Sequence, residues 1–250
     1  MRRHDLLRSL HEVLQPRTYL EIGVNSGRSL TLSRTRSIGI DPFFTVMSEL
    51  LCDLHLVRTT SDEFFAREHP LAHFDEPLID LAFIDGMHLS EYALRDLINV
   101  ERFCHPGSVV VLDDMLPRNV MQARRDHESS RRGSGWTGDV YKVAEVLRTH
   151  RPDLVCLEVD TIPTGTAVVL GLDARSRVLL EAYDGLVEAF VVPDPQPVPD
   201  EVLGRTRAHD AADLLARPLW ADLVASRADD AAGARERVTA ALDDLRPVGA

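Results

Sequence analysis

The sequence predicts a doubly wound α/β fold, built on a mostly parallel sheet of seven strands. Three observations carry that prediction. Seven short runs are apolar almost throughout, as strands buried on both faces are; they recur every ~20 to 30 residues; and helical stretches fall between them. A chain of 250 residues, 44% of them apolar, can bury such a sheet as one domain with room for a small appendage.

The elements follow in order. An amphipathic helix is expected over about residues 5–14, ahead of a first run at 18–22; the later runs fall at 37–40, 54–57, 78–84, 108–112, 154–159 and 166–170. Two segments break this rhythm. Residues 115–135 hold Pro117, Arg118, Arg124, Arg125, Arg131, Arg132, Gly133 and Gly135 and few apolar side chains, which suggests a long mobile loop, either a solvated insertion or a lid over substrate. Its arginines would attract an acidic acceptor or simply be solvated. The Pro-rich stretch VVPDPQPVPD, 191–200, looks like a linker within a C-terminal helical appendage, 173–250, that follows a main domain of residues 1–172. Leu214, Leu215, Leu219, Trp220 and Leu223 recur there at near-helical spacing. That stripe packs either on the chain's own sheet or on a second copy, which leaves a homodimer open.

Charge and composition narrow the function. With 40 acidic against 28 basic residues and a net charge of −12, a protein that tracks nucleic-acid phosphates is excluded. Lys142 is the one lysine, so most lysine chemistry is excluded as well. Cys52, Cys104 and Cys156 are an odd set without a close pair, which fits neither a disulfide framework nor a thiolate zinc site; a reducing cytoplasm is the simplest compartment. The opening MRRHDLLRSLHEVL lacks the unbroken apolar core of a signal peptide, and no stretch approaches the roughly 20 apolar residues of a membrane span.

The first strand runs into YLEIGVNSGRSL, residues 19–30, with Glu21 inside the strand and Gly23 and Gly27 before an expected helix. A strand, a glycine turn and a helix N-terminus suit a nucleotide-like cofactor, because unpaired N–H groups point outward and backbone can approach closely. The pattern E-x-G-x-x-x-G lacks the third glycine of a dinucleotide fingerprint, which disfavours NAD. Asp41 ends the second run in SIGIDPF, 18 residues after Gly23, where a carboxylate can accept from both hydroxyls of a ribose. The pair fits an adenosyl cofactor; the plainer alternative is a tight turn, with Asp41 capping the chain before Pro42.

Two further strand ends carry acids. LIDLAFIDGMH places Asp85 at the end of the fourth run, followed by His88, and PGSVVVLDDM places Asp113 and Asp114 at the end of the fifth. Carboxyl ends of parallel strands share one edge, so these three carboxylates should converge beside the glycine turn. They repel one another unless a cation compensates them, and oxygen ligands suit Mg²⁺ or another hard divalent ion. A single strand-end aspartate would more simply cap the next helix. His88 suits proton removal near neutral pH, its alternative being a capping or surface histidine.

On YLEIGVNSGRSL, IGIDPF, LAFIDGMHLSEYALRDL and VVVLDDM, spread over roughly residues 17–172, the sequence resembles class I S-adenosylmethionine-dependent methyltransferases of Rossmann-like fold. Within them it is similar to the metal-dependent small-molecule O-methyltransferases. FIDGMHLSEYALRDL is the most specific stretch, similar to the branch of macrolide-sugar O-methyltransferases and cephalosporin-hydroxylase-like proteins. The resemblance implies that Gly23, Asn25 and Ser29, in a turn with Glu21 and Gly27, line the methionine end of the cofactor. It also implies that Asp41 holds the ribose, that Ser61 and Asp62 in TTSDEFF contact the adenine, and that Asp85 borders both cofactor and metal. Asp85, Asp113 and Asp114 match metal ligands. His88 falls where catechol-type relatives place a catalytic lysine and sugar-modifying relatives a histidine base, which favours an aliphatic or sugar hydroxyl as acceptor. GWTGDVYKV, 135–143, resembles a further block of this branch, in which Trp136 either stacks on substrate or anchors packing, and Asp139 with Lys142 suits a surface pair. The implied activity is O-methylation of a small hydroxylated molecule. Two alternatives stand beside it: a hydroxylase-like member of the branch, and a non-catalytic module that binds the adenosyl cofactor.

Overall fold

The computed structural model describes residues 1–127 and 135–246. Arg131, Arg132 and Gly133 of the expected loop lie outside the described residues. The strands are β1 Thr18–Ile22, β2 Arg36–Ile40, β3 Leu54–Val57, β4 Ile79–Ile84, β5 Cys104–Asp113, β6 Val155–Val159 and β7 Thr166–Leu170. They form one sheet in the order β3-β2-β1-β4-β5-β7-β6. The first five neighbours run parallel, and β7 lies antiparallel between β5 and β6.

The apolar runs become strands for the expected reason. All six residues of β4 are buried, with Ile79, Ala82 and Ile84 facing one side of the sheet and Leu81 and Phe83 the other. On the first side lie α3 (Ser90–Glu101), α4 (Lys142–His150) and α5 (Val178–Phe190), which supply Leu94, Leu97, Val143, Leu147, Leu179 and Leu186. On the other lies α1 (Arg3–Leu14), whose Leu6, Leu7, Leu10 and Leu14 form one buried stripe. The short α2, Ser61–Phe65, follows β3.

Further on come α6 (Asp200–Leu203), whose Val202 packs in a small cluster with Ala123, Tyr141 and Val198, and α7 (Ala211–Leu215), α8 (Leu219–Ala225) and α9 (Ala231–Ala241), which complete that second face. Leu214, Leu219, Trp220 and Leu223 join Val238 and Leu242 in the same cluster as α1 and the sheet residues Val109 and Val111. The apolar stripe therefore packs on the chain's own sheet, and the core continues past residue 172. The cause is geometric: α1 alone is too short to cover a seven-stranded face. No helix among the described residues is long and apolar enough to cross a membrane.

One expected element is replaced. After the glycine turn there is a 3-10 turn, Leu30–Leu32, instead of a helix. The connection is rich in Ser and Thr, whose hydroxyls divert the backbone: Ser33 Oγ accepts from the Thr35 N–H at 3.3 Å, and Ser37 Oγ donates to the Thr35 carbonyl at 2.9 Å. The helix-dipole part of the cofactor argument falls away here, and backbone approach and Asp41 remain.

Candidate active site

The carboxyl ends of β1, β2 and β4 are tied together at Gly23. Its N–H donates to the Ile40 carbonyl at 2.9 Å, while the Asp85 N–H donates to Ile22 at 2.8 Å. Gly23 has φ +90°, and a Cβ there would come within 1.8 Å of the Asp85 carbonyl oxygen. Only glycine lets the two turns touch. Asn25 continues the turn at φ +47°, its N–H donating to Asp41 Oδ2 at 2.7 Å; the Phe43 N–H donates to Oδ1 at 2.6 Å. Asp41 thus stands beside the turn as its position after β2 requires. Each of its oxygens keeps a lone pair for a further donor, as ribose hydroxyls would be.

The other expected cofactor residues take different places. Glu21 is fully buried and accepts from Tyr19 Oη and Ser29 Oγ, both at 2.6 Å, so Glu21 and Ser29 brace the turn from inside rather than line a ligand surface. Burial pushes the Glu21 carboxyl up to about 8, against the pull of the two hydroxyls. Gly27 is buried against Val46. Ser61 stands beside the buried Asp96 of α3, where its hydroxyl opposes the burial that raises that carboxyl to about 7. Asp62 is drawn to Arg95, whose Nε donates to it at 2.7 Å.

The acidic cluster assembles as the strand ends require, with a division of partners. His88 Nε2 lies 3.1 Å from Asp85 Oδ1 and 3.2 Å from Asp114 Oδ2. Burial disfavours its charged form, but the hydrogen bond to Asp85 and the charges of Asp114 and Asp85 prevail and raise His88 to about 9. Asp114 sits at φ +60° and accepts from Thr164 Oγ1. Asp113 is almost wholly buried and contacts the guanidinium of Arg3, which also lies 3.5 Å from Asp85 Oδ2. Burial, then the neighbouring carboxylates, hold Asp113 well above the usual range. Asp85, His88 and Asp114 offer ligand atoms within 4.8 Å of one another, an oxygen and imidazole set that fits a divalent cation. Asp113, expected among the ligands, is outside this group because Arg3 has claimed it.

The segment after the loop holds His88 from the other side. His88 Nδ1 donates to the Trp136 carbonyl at 2.7 Å, and the indole stacks on the imidazole with centroids 5.2 Å apart. The far side of the indole meets His127 at 4.7 Å, and Nε1 donates to the Arg124 carbonyl at 2.6 Å. Gly138, at φ +56°, lies so close to His88 that a Cβ would come within 1.5 Å of its carbonyl oxygen. Asp139 and Lys142, expected as a surface pair, are buried. Asp139 accepts from the Ser90 N–H at 2.9 Å, Arg125 at 2.8 Å and Lys142 at 3.0 Å, locking this segment to the start of α3. Met115, Leu116, Gln122 and Ala123 of the expected loop are buried too.

Arg3 was missed in the sequence; Trp136, expected to stack on substrate or to anchor packing, packs on His88. One signal pointed to Arg3: a basic residue at the first position of a helix opposes the helix dipole, a local conflict that often marks a functional position.

Comparison with known proteins agrees with this fold. Residues 20–115, from β1 through the acidic pair, match a family described as a methyltransferase domain. No curated protein matches the sequence. Among solved structures, the chain is similar to the O-methyltransferase TomG of Streptomyces achromogenes, involved in tomaymycin synthesis and solved with S-adenosylmethionine. The identity is 18%, over 68% of this chain and 79% of that one, with a TM-score of 0.50. It is also similar to the cofactor-bound Rv0187 from MTB, at 16% identity over 69% of this chain and 82% of that one, with a TM-score of 0.51. Over residues 20–115 the chain is thus similar to a methyltransferase domain, and its sheet shares the fold of these solved structures.

Proposed function

We propose that the chain methylates a hydroxyl of a small molecule, a sugar or other natural product, using S-adenosylmethionine and a divalent cation such as Mg²⁺ held by Asp85 and Asp114. The observation that carries this reading is His88 Nε2, placed 3.1 and 3.2 Å from those two carboxylates beside the glycine turn. The cofactor supplies a methyl group on a sulfonium, and the cation, when bound, lowers the pKa of the acceptor hydroxyl.

The chain's own residues then have three tasks. Asp41 and the Gly23 turn hold the adenosyl group by its ribose and by close backbone approach. Asp85 and Asp114 provide the cation's oxygen ligands, while Thr164 and the backbone at φ +60° fix Asp114. With a cation at Asp85 and Asp114 offsetting the carboxylate charges that raise it to about 9, His88 would be neutral and could take the hydroxyl proton at Nε2, since its Nδ1 is committed to the Trp136 carbonyl. Because the methyl is already activated, alignment and deprotonation are the protein's main contributions.

The test is incubation of the chain with S-adenosylmethionine, Mg²⁺ and a panel of hydroxylated acceptors. Release of S-adenosylhomocysteine, with a product heavier by one methylene unit, is expected. A product heavier by one oxygen would make it a hydroxylase, and cofactor binding without turnover across the panel would make it a binding module.

A further inference from the structure

Arg3 lies 82 positions before Asp85 and 110 before Asp113, yet its guanidinium sits in the carboxylate cluster. It is not a loose surface arginine. The backbone ahead of α1 pairs with the β6–β7 connection: the Arg3 N–H donates to the Ile162 carbonyl at 3.2 Å, and the Ile162 N–H donates to Met1 at 2.9 Å. Two residues further on, that connection supplies Thr164 to Asp114. Behind Arg3, the four buried leucines of α1 anchor the helix to the sheet. Both ends of the segment are therefore held, and the side chain is 27% exposed.

Arg3 divides the cluster. Adjacent aspartates at one strand end have different partners, Asp113 with Arg3 and Asp114 with His88 and Thr164. A guanidinium keeps its charge at any working pH. It therefore both occupies Asp113 and repels a divalent ion placed beside it.

We propose that Arg3 sets the metal affinity of the site: it withholds Asp113, so that a divalent cation is held by Asp85 and Asp114 and binds more weakly than three carboxylates would hold it. This rests on the metal-assisted reading above. A cation held through two carboxylates would keep more positions open than one held through three.

The experiment is a titration of the full chain with Mn²⁺, read by loss of the free-ion electron paramagnetic resonance signal, without cofactor or acceptor. Arg3→Gln and Arg3→Met, which remove the charge but leave the leucine anchor of α1, are expected to tighten Mn²⁺ binding at least tenfold. Adding Asp113→Asn to Arg3→Gln should remove most of that gain, leaving the smaller part due to the lost repulsion. Arg3→Lys, which keeps the charge, should stay within about threefold of wild type. Unchanged or weaker binding in both charge-removing variants overturns the proposal, as does a gain that survives Asp113→Asn in full or appears equally in Arg3→Lys. Absence of Mn²⁺ binding in every variant, wild type included, overturns the metal-assisted reading itself, a result distinct from an unchanged affinity.

Discussion

Aspartates meet opposite circumstances at the two ends of β4. Asp80, at the amino end, is saturated: Arg17 grips it through Nε and Nη2 at 3.0 Å and its backbone N–H at 2.7 Å, and His105 reaches it at 2.7 Å. Burial opposes its charge, but these partners outweigh it and hold the carboxyl far below the usual range. At the carboxyl end, Asp85, Asp113 and Asp114 crowd against two cations, Arg3 and His88, and burial holds Asp113 and Asp114 above the usual range. A carboxylate with every partner supplied is part of the framework. A group of carboxylates left short of positive charge is a site waiting for a ligand.

The most severe way to break this contrast is to remove a carboxylate from the short end. Asp114→Ala should lower metal-stimulated turnover roughly 10³-fold. Excess chelator should do the same to the wild type, both read as S-adenosylhomocysteine release. Full activity in chelator would show that no cation takes part. His88→Ala comes next, with a loss of roughly 10²-fold in turnover and cofactor affinity retained. The Mn²⁺ affinity of this variant sharpens its role. An affinity within about threefold of wild type makes His88 the proton acceptor, whereas a large fall in parallel with turnover makes it a third metal ligand.

At the saturated end the expectation reverses. Asp80→Ala should leave turnover of the folded protein unchanged and lower stability by about 2 kcal/mol, since Arg17 is half exposed and can be rehydrated while His105 is left short of its partner. The fall in Tm should be roughly 4 to 8 °C. A large loss of turnover without a change in Tm would erase the distinction between the two ends.

The contrast also explains what the sequence made legible. Strand runs are local patterns, so 18–22, 54–57 and 166–170 coincide with β1, β3 and β7, and parallel strands bring Asp85, Asp113 and Asp114 to one edge without further information. Partners supplied from a distance were invisible. Nothing in the local pattern of PGSVVVLDDM distinguishes Asp113 from its neighbour, because the difference comes from Arg3 and from the β6–β7 connection. Asp139 and Lys142 suited a surface pair because i, i+3 spacing says nothing of Arg125, Ser90 and the Phe190 carbonyl, which Lys142 reaches at 2.6 Å. The expected helix after the glycine turn failed for a local reason instead, hydroxyls competing for the backbone.

Glu21 tests, through stability alone, whether charge shortage at the carboxyl edge extends inside the sheet. Its carboxyl, raised by burial to about 8 in the folded chain, stands near 4.3 when unfolded, where the value of about 4.3 is that of an unperturbed glutamate. Between those values the folded state binds more protons than the unfolded one, so this residue's contribution falls as pH rises from about 4 to about 8 and is flat above that range. Glu21→Gln keeps an acceptor for Tyr19 and Ser29 and removes the ionisation. Relative to wild type, it should match at pH 4 and gain stability progressively as pH rises to about 8, measured as the difference in urea midpoints. A difference independent of pH would mean that Glu21 is ionised in the fold, and that Tyr19 and Ser29 supply enough hydrogen bonding to keep a full charge inside the sheet.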